Sequence, residues 1–249
     1  MADYDNRVIR GRSAADAGVV DAGLRAYMLR VYNYMLVGLA LSGATAYLIA
    51  NSPTAAALFF HQDGTGRIGP TILGFAALLA PLGFILALNY GIQRMSLGTI
   101  QLLFWAFSAV MGISLAPWLW VYTGASVAQV FFITSATFGA MSLWGYTTKS
   151  DLTGMGHFLI MGLFGLIIAM LVNFFLQSAM MNWVLSIIGV LVFTGLTAYD
   201  TQRIKESYVA SYDGTITGKL AVSGALSLYL DFLNLFLFLL RLLGVANRR

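Results

Sequence analysis

Seven apolar runs, each about 20 residues long, alternate with short polar stretches along the chain, at about 31–50, 71–90, 98–117, 126–146, 157–176, 182–200 and 222–243. Each run is close to the roughly 20 residues that an α-helix needs to cross the hydrocarbon core of a bilayer. The runs are rich in Gly, Ala, Leu, Phe and Met and show no alternation of period two, which argues against the strands of a membrane β-barrel. The pattern predicts an all-α membrane protein built as a bundle of seven transmembrane helices over residues 31–243. A polar N-terminal tail over 1–30 precedes the bundle and a short basic tail over 244–249 follows it. No polar stretch is long enough for a second domain. The tail over 1–30 holds no short apolar stretch with a small-residue cleavage site, so the first span is expected to remain as an anchor.

Composition agrees with the pattern. Apolar residues make up 59% of the chain and charged residues 10%, and the mean hydropathy is +0.80. A soluble domain carries about a quarter of its residues charged, so the outer surface of this one must face lipid. The net charge of +4 follows from the placement of basic residues between spans and does not point to nucleic acid. With the N-terminus inside, the inner segments hold Arg7, Arg10, Arg12, Arg25, Arg30, Arg94, Lys149, Arg203, Lys205 and Lys219. The outer segments hold Arg67, Arg241, Arg248 and Arg249, a split of ten to four that favours a cytoplasmic N-terminus. Three of those four lie at the C-terminal end, so either the last helix crosses and leaves the tail outside, or it re-enters and brings the tail back. Trp118, Trp120, Tyr122, Trp144 and Tyr146 stand near span ends, as interfacial aromatic belts do. The absence of cysteine excludes disulfides, thiolate metal sites and cysteine nucleophiles.

Two acidic residues stand apart from the rest. Asp231 lies about nine residues into the last predicted span, and Asp200 closes the sixth, one or two turns from its inner end. An aspartate at a helix centre costs roughly 2.5–3.5 kcal/mol to insert, and such a residue usually faces a bundle interior or a water-filled path and has a partner. The last two spans are consecutive and can pack antiparallel, which would bring the two carboxyls together. In a poorly solvated site they would share a proton that titrates toward neutrality, and so form a pH sensor. They also make a weak oxygen site for Ca²⁺, though two carboxylates fall short of the six to eight oxygens that Ca²⁺ takes. The alternative for Asp200 is that it reaches the inner interface and binds Arg203 or Lys205. Arg94, at the end of the second span, is either a latch that reaches back to a carboxylate or an ordinary loop cation. Asn234, one turn beyond Asp231, either hydrogen-bonds it and lines the same path or joins two helices.

Other patterns carry no chemistry. Gly64-Thr65-Gly66-Arg67-Ile68-Gly69 has the spacing of a dinucleotide-binding loop but follows no predicted strand and sits just ahead of a membrane span. His61 and His157 have no metal-ligand spacing, no Ser sits in a GxSxG elbow, and Met180 and Met181 read as packing or loop residues. Arg7, Arg10 and Arg12 could touch anionic lipid, although a role in topology is simpler. No catalytic constellation and no cofactor motif is expected, so the chain does not read as an enzyme.

The C-terminal third resembles a known family. Ala198-Tyr199-Asp200-Thr201-Gln202-Arg203-Ile204-Lys205, followed by Ala225-Leu226-Ser227-Leu228-Tyr229-Leu230-Asp231-Phe232-Leu233-Asn234-Leu235-Phe236, is similar to the two C-terminal signatures of the Bax inhibitor-1, or transmembrane Bax inhibitor motif, family. Met111-Gly112-Ile113-Ser114-Leu115-Ala116-Pro117 resembles the family's third-helix pattern, and Tyr27, Tyr32 and Tyr34 resemble its bacterial branch. The resemblance implies a seven-helix protein of the bacterial inner membrane with a central last helix, acting as a pH-sensitive calcium leak channel. It implies Asp200 and Asp231 as the sensor pair, and Arg94 as the residue that locks the closed state. One departure from that expectation is that the second to fifth spans contain no carboxylate.

Three readings follow. The first is a passive cation path, for Ca²⁺, gated by protonation of the Asp200–Asp231 pair, with the bilayer, Ca²⁺ and protons as its partners. The second is a non-transporting regulator of a membrane-bound protease or stress response that binds its partner through the N-terminal tail. The third is a proton-coupled transporter, for which the sequence names no solute.

Overall fold

A computed structural model describes residues 2–62 and 68–247, with side chains described over 22–61 and 68–247. The side chains of Arg7, Arg10 and Arg12, the stretch from Gly64 to Arg67, and Arg248 and Arg249 lie outside the described residues. The chain forms α1 (Ala2–Asn51), α2 (Pro53–Phe59), a small antiparallel hairpin of β1 (Phe60–Gln62) and β2 (Ile68–Pro70), α3 (Ile72–Gly91), α4 (Leu97–Val121), α5 (Gly124–Thr147), α6 (Thr153–Leu176), α7 (Ala179–Glu206) and α8 (Gly214–Leu243). Seven of these helices are long and apolar enough to cross a membrane; α2 is the short one.

Polar residues at the run boundaries start the helices. The side chains of Thr71, Ser96, Thr123, Ser178 and Asp213 each accept a hydrogen bond from the backbone N–H three residues on, which satisfies one of the free donors at a helix start. At the α6–α7 turn, Gln177 takes the left-handed conformation. Asn173 holds that turn by donating to Asn182 Oδ1 at 2.8 Å and accepting from the Ser178 N–H at 3.1 Å.

The last helix is the centre of the bundle. Over its apolar stretch 56% of α8 is buried, against 11–33% for the other spans, so the others wrap it and show their outer faces to lipid. Ahead of the hydropathy run at 31, Tyr27 and Met28 are already buried in the main core, and α1 is helical from Ala2. Two glycines allow close backbone approach: Gly112 of α4 lies against Ser42 of α1, and Gly145 of α5 lies against Ala198 of α7.

α8 runs unbroken from Gly214 to Leu243 and is long and apolar enough to cross a membrane. The segment after it docks on the α4–α5 turn. The Thr123 N–H donates to Val245 O at 3.0 Å, the Asn247 N–H to Val121 O at 2.8 Å, and the Val245 N–H to Ser126 Oγ at 2.8 Å. Arg241, a cation on the sparse side of the charge count, lies 5.2 Å from the Trp118 ring and 5.4 Å from the Phe238 ring, which is cation–π distance.

Candidate functional site

α7 and α8 pack antiparallel, with Ile204 against Gly224. One turn deeper than Ile204, Asp200 faces Asp231, and the two carboxyls lie within hydrogen-bonding reach of each other. Asp231 is 5% exposed and the Asp200 side chain 16% exposed. Asp231 Oδ2 is buried and has no hydrogen-bond partner. These two facts are consistent once the donor count is made. Two ionised carboxylates can only accept, so a hydrogen bond between them exists only when one carries a proton. An orphaned buried carboxylate oxygen is costly, and a proton shared across the pair removes that cost.

A cavity of about 110 Å³ opens beside Asp200, lined by Tyr27, Arg203, Ser207, Ser223 and Ser227 among others. α1 closes it from one side. The Tyr27 hydroxyl meets Ser207 Oγ at 3.1 Å, and the Tyr27 ring packs against Tyr208 with centroids 5.5 Å apart. The cation that meets the pair is Arg203, whose Nη1 lies 3.8 Å from Asp200 Oδ1, three residues along the same helix. Asp200 therefore faces Asp231 and also pairs with Arg203.

The remaining predicted residues are placed elsewhere. Arg94 is exposed in the turn after α3 and makes no ion pair within 4 Å of any described carboxylate. The reason is local: α3 ends at Gly91, and its last turn, at Leu88, Asn89 and Ile92, meets Val222, Ser223 and Leu226 of α8, more than one helical turn short of Asp231. Asn234 donates to Leu230 O at 2.8 Å within its own helix and does not bond Asp231. Lys205 points away from the acids, donating to Tyr146 O at 2.8 Å with its ammonium 5.3 Å from that ring's centre. No group of three or more His, Cys, Asp or Glu that could hold a metal occurs among the described residues.

Sequence reasoning passed over three buried polar links. Gln202, in the same motif as Asp200, accepts from the Leu152 N–H and donates to Ser150 O, both at 2.8 Å, and so ties the α5–α6 loop to α7. Tyr32, Ser142 and Thr201 form a chain from α1 through α5 to α7, at 2.6 and 2.9 Å. Tyr229 meets Ser42 Oγ at 2.6 Å, and Ser42 donates to Ser108 O at 2.6 Å. The available signal was the presence of Tyr, Ser, Thr and Gln inside apolar runs, where each needs a partner. Gln202→Ala strands the Leu152 N–H at a helix start with no other side-chain cap, at a cost of about 1–3 kcal/mol. Thermal unfolding in detergent should fall by roughly 2–12 °C, at 2–4 °C per kcal/mol for a chain of this size.

Asp151 lies outside the spans. Hydrogen bonds from the Thr153 hydroxyl and from its N–H, the latter at 2.8 Å, hold its carboxyl below the ordinary carboxylate range. What it lends to the start of α6 is present above about pH 3.9 and is lost as pH falls through its lowered value, so it does not titrate between pH 6 and 8.

A family model described as "Inhibitor of apoptosis-promoting Bax1" matches residues 24–248. A protein of Rickettsia prowazekii is 48% identical over 229 residues, covering 92% of each chain. Inner membrane protein YbhL of Escherichia coli K12 is 45% identical over 230 residues, 92% of this chain and 94% of its own. A Caulobacter vibrioides protein is 42% identical over 250 residues, the full length of both chains.

Proposed function

The chain belongs to the Bax inhibitor-1 family, and we propose that it acts as a pH-sensitive leak for cations, Ca²⁺ foremost, gated by the proton shared between Asp200 and Asp231. It is a multi-pass membrane protein, and the bacterial inner membrane named for YbhL is the membrane assigned to it. The excess of basic residues at the end where α1 begins supports a cytoplasmic N-terminus. One observation carries the reading: a carboxylate oxygen of the central helix is buried without a partner, next to a second carboxyl that borders a cavity. Protonation makes the pair a hydrogen-bonded link between α7 and α8. Loss of the proton leaves two negative charges that repel and attract cations.

Arg203 replaces Arg94 as the cation that tunes the pair. At 3.8 Å it favours the ionised state, but its side chain is 66% exposed, so the effect is that of a solvent-screened pair, about 0.2–1 kcal/mol. In dye-loaded proteoliposomes, Arg203→Gln is expected to move the pH transition of Ca²⁺ influx upward by about half a unit, at 1.36 kcal/mol per unit. Arg94→Gln is expected to leave it in place. Influx no greater than in empty liposomes from pH 6 to pH 8 would remove the leak reading.

One feature favours the regulatory reading as a second function. α1 continues ahead of its apolar part, from Ala2 to residue 21, as a helical arm roughly 30 Å long that offers a membrane protease or stress-response partner a handle.

A further inference from the structure

We propose that the cleft between α1 and α5 binds an anionic phospholipid, with an acyl chain lying along the cleft and the phosphate held at its mouth by Arg25. The cleft lies between α1, which packs on α4 and α8, and α5, which packs on α7 and α8; the two helices meet at the hydrogen bond of 2.6 Å between Tyr32 and Ser142. Two cavities of about 590 and about 550 Å³ lie end to end in it, each within the roughly 300–1,000 Å³ of ligand pockets. Together they follow α1 from Arg25 to Tyr47, about 22 residues or roughly 33 Å, the thickness of a bilayer's hydrocarbon core. The far half is floored by Phe232, Leu233 and Phe236 of the central helix, so a chain there is enclosed on several sides and does not merely rest against a convex surface.

The walls are open at two glycines. Around the position that a Cβ would occupy at Gly43 or Gly139 there is no atom within 4 Å. The lining is mainly apolar, with few polar groups to hold water, and in a membrane a hydrocarbon chain fills such a space. The occupant's headgroup follows from the mouth. Arg25 lines that end and is exposed, Lys205 stands behind the Tyr146 ring beside it, and none of the residues lining the near cavity is acidic. A guanidinium offers a planar fork of donors that matches phosphate oxygens in pairs. Among the described residues no carboxylate pairs with Arg25, and a positive charge at the mouth selects a headgroup with net negative charge over one that carries its own ammonium.

The test uses the full-length protein in mild detergent, titrated with phosphatidylglycerol or phosphatidylcholine and followed by native mass spectrometry. The wild type is expected to retain one phosphatidylglycerol under conditions that strip phosphatidylcholine. Arg25→Gln should cut that preference by about fivefold, the effect of removing one basic group from an anionic headgroup. Gly139→Leu fills the near cavity and should abolish retention of phosphatidylglycerol. It replaces a helix-interior glycine by a better helix former where there is room, so its thermal unfolding should match the wild type. Equal retention of the two lipids by the wild type, an unchanged preference in Arg25→Gln, or full retention by a folded Gly139→Leu protein would each overturn the proposal. None of these readouts involves ion flux, so they stand or fall separately from the leak.

Discussion

Asp231→Asn should flatten the pH dependence of Ca²⁺ influx between pH 6 and pH 8 while leaving the protein folded. One shared proton gates the path, so the wild-type flux is expected to change several-fold over those two units. The asparagine has the shape of the protonated acid and cannot ionise. It removes the buried oxygen that has no partner and leaves Asp200 with Arg203 as its neighbour. Asp200 alone, partly exposed and facing a cation, has no second carboxylate with which to share a proton. The variant's flux is therefore expected to vary by less than about twofold over the same range. A pH profile in Asp231→Asn identical to that of the wild type would place the sensor elsewhere. Asparagine is the better choice over alanine, because removing the side chain from a buried position adds a cavity to the change in charge.

Gly145→Val should be strongly destabilising. A Cβ at Gly145 would fall on the carbonyl oxygen of Ala198, with that residue's carbonyl carbon and Cα both 2.9 Å away. All three are backbone atoms of α7, so no rotamer change relieves the contact; the two helices have to move apart. Overpacking of this kind costs about 3 kcal/mol, which for a chain of this size lowers the unfolding temperature by roughly 6–12 °C. The displacement would also reach the acid pair, since Ala198 is two residues from Asp200 on the same helix. Gly139→Ala, on the same helix but with open space around its Cβ position, is the control. It is expected to unfold at or slightly above the wild-type temperature, in line with the helix preference of alanine over glycine of about 1 kcal/mol. Equal unfolding temperatures for Gly145→Val and the wild type would contradict the close α5–α7 approach.

The spans were legible because hydropathy over about 20 residues is a strong, local signal. The acid pair was legible because two carboxylates in apolar runs are rare enough to stand out. The part that Tyr27 and Met28 play in the core was less so, because Arg25 and Arg30 beside them mask their buried face in sequence. The partner of Asp200 was open because cations are common at the inner ends of spans, and only packing shows that Arg203 faces the acids while Lys205 turns to Tyr146. Arg94 had two readings, a latch and a loop cation, and here it stands exposed and apart from the pair. The α1–α5 cleft had no sequence signature at all. It arises from which helices α8 brings together, and an apolar residue reads the same whether it meets a helix, a lipid or a gap.

The most direct test of the central claim is an infrared titration of the protein in lipid, wild type against Asp231→Asn, following the carbonyl stretch of protonated carboxylic acids from pH 6 to pH 8. The account predicts one such band in the wild type, lost across the same range in which flux changes and absent from Asp231→Asn. No protonated carboxyl at any pH in that range, or an identical band in the variant, would contradict a proton shared by Asp200 and Asp231.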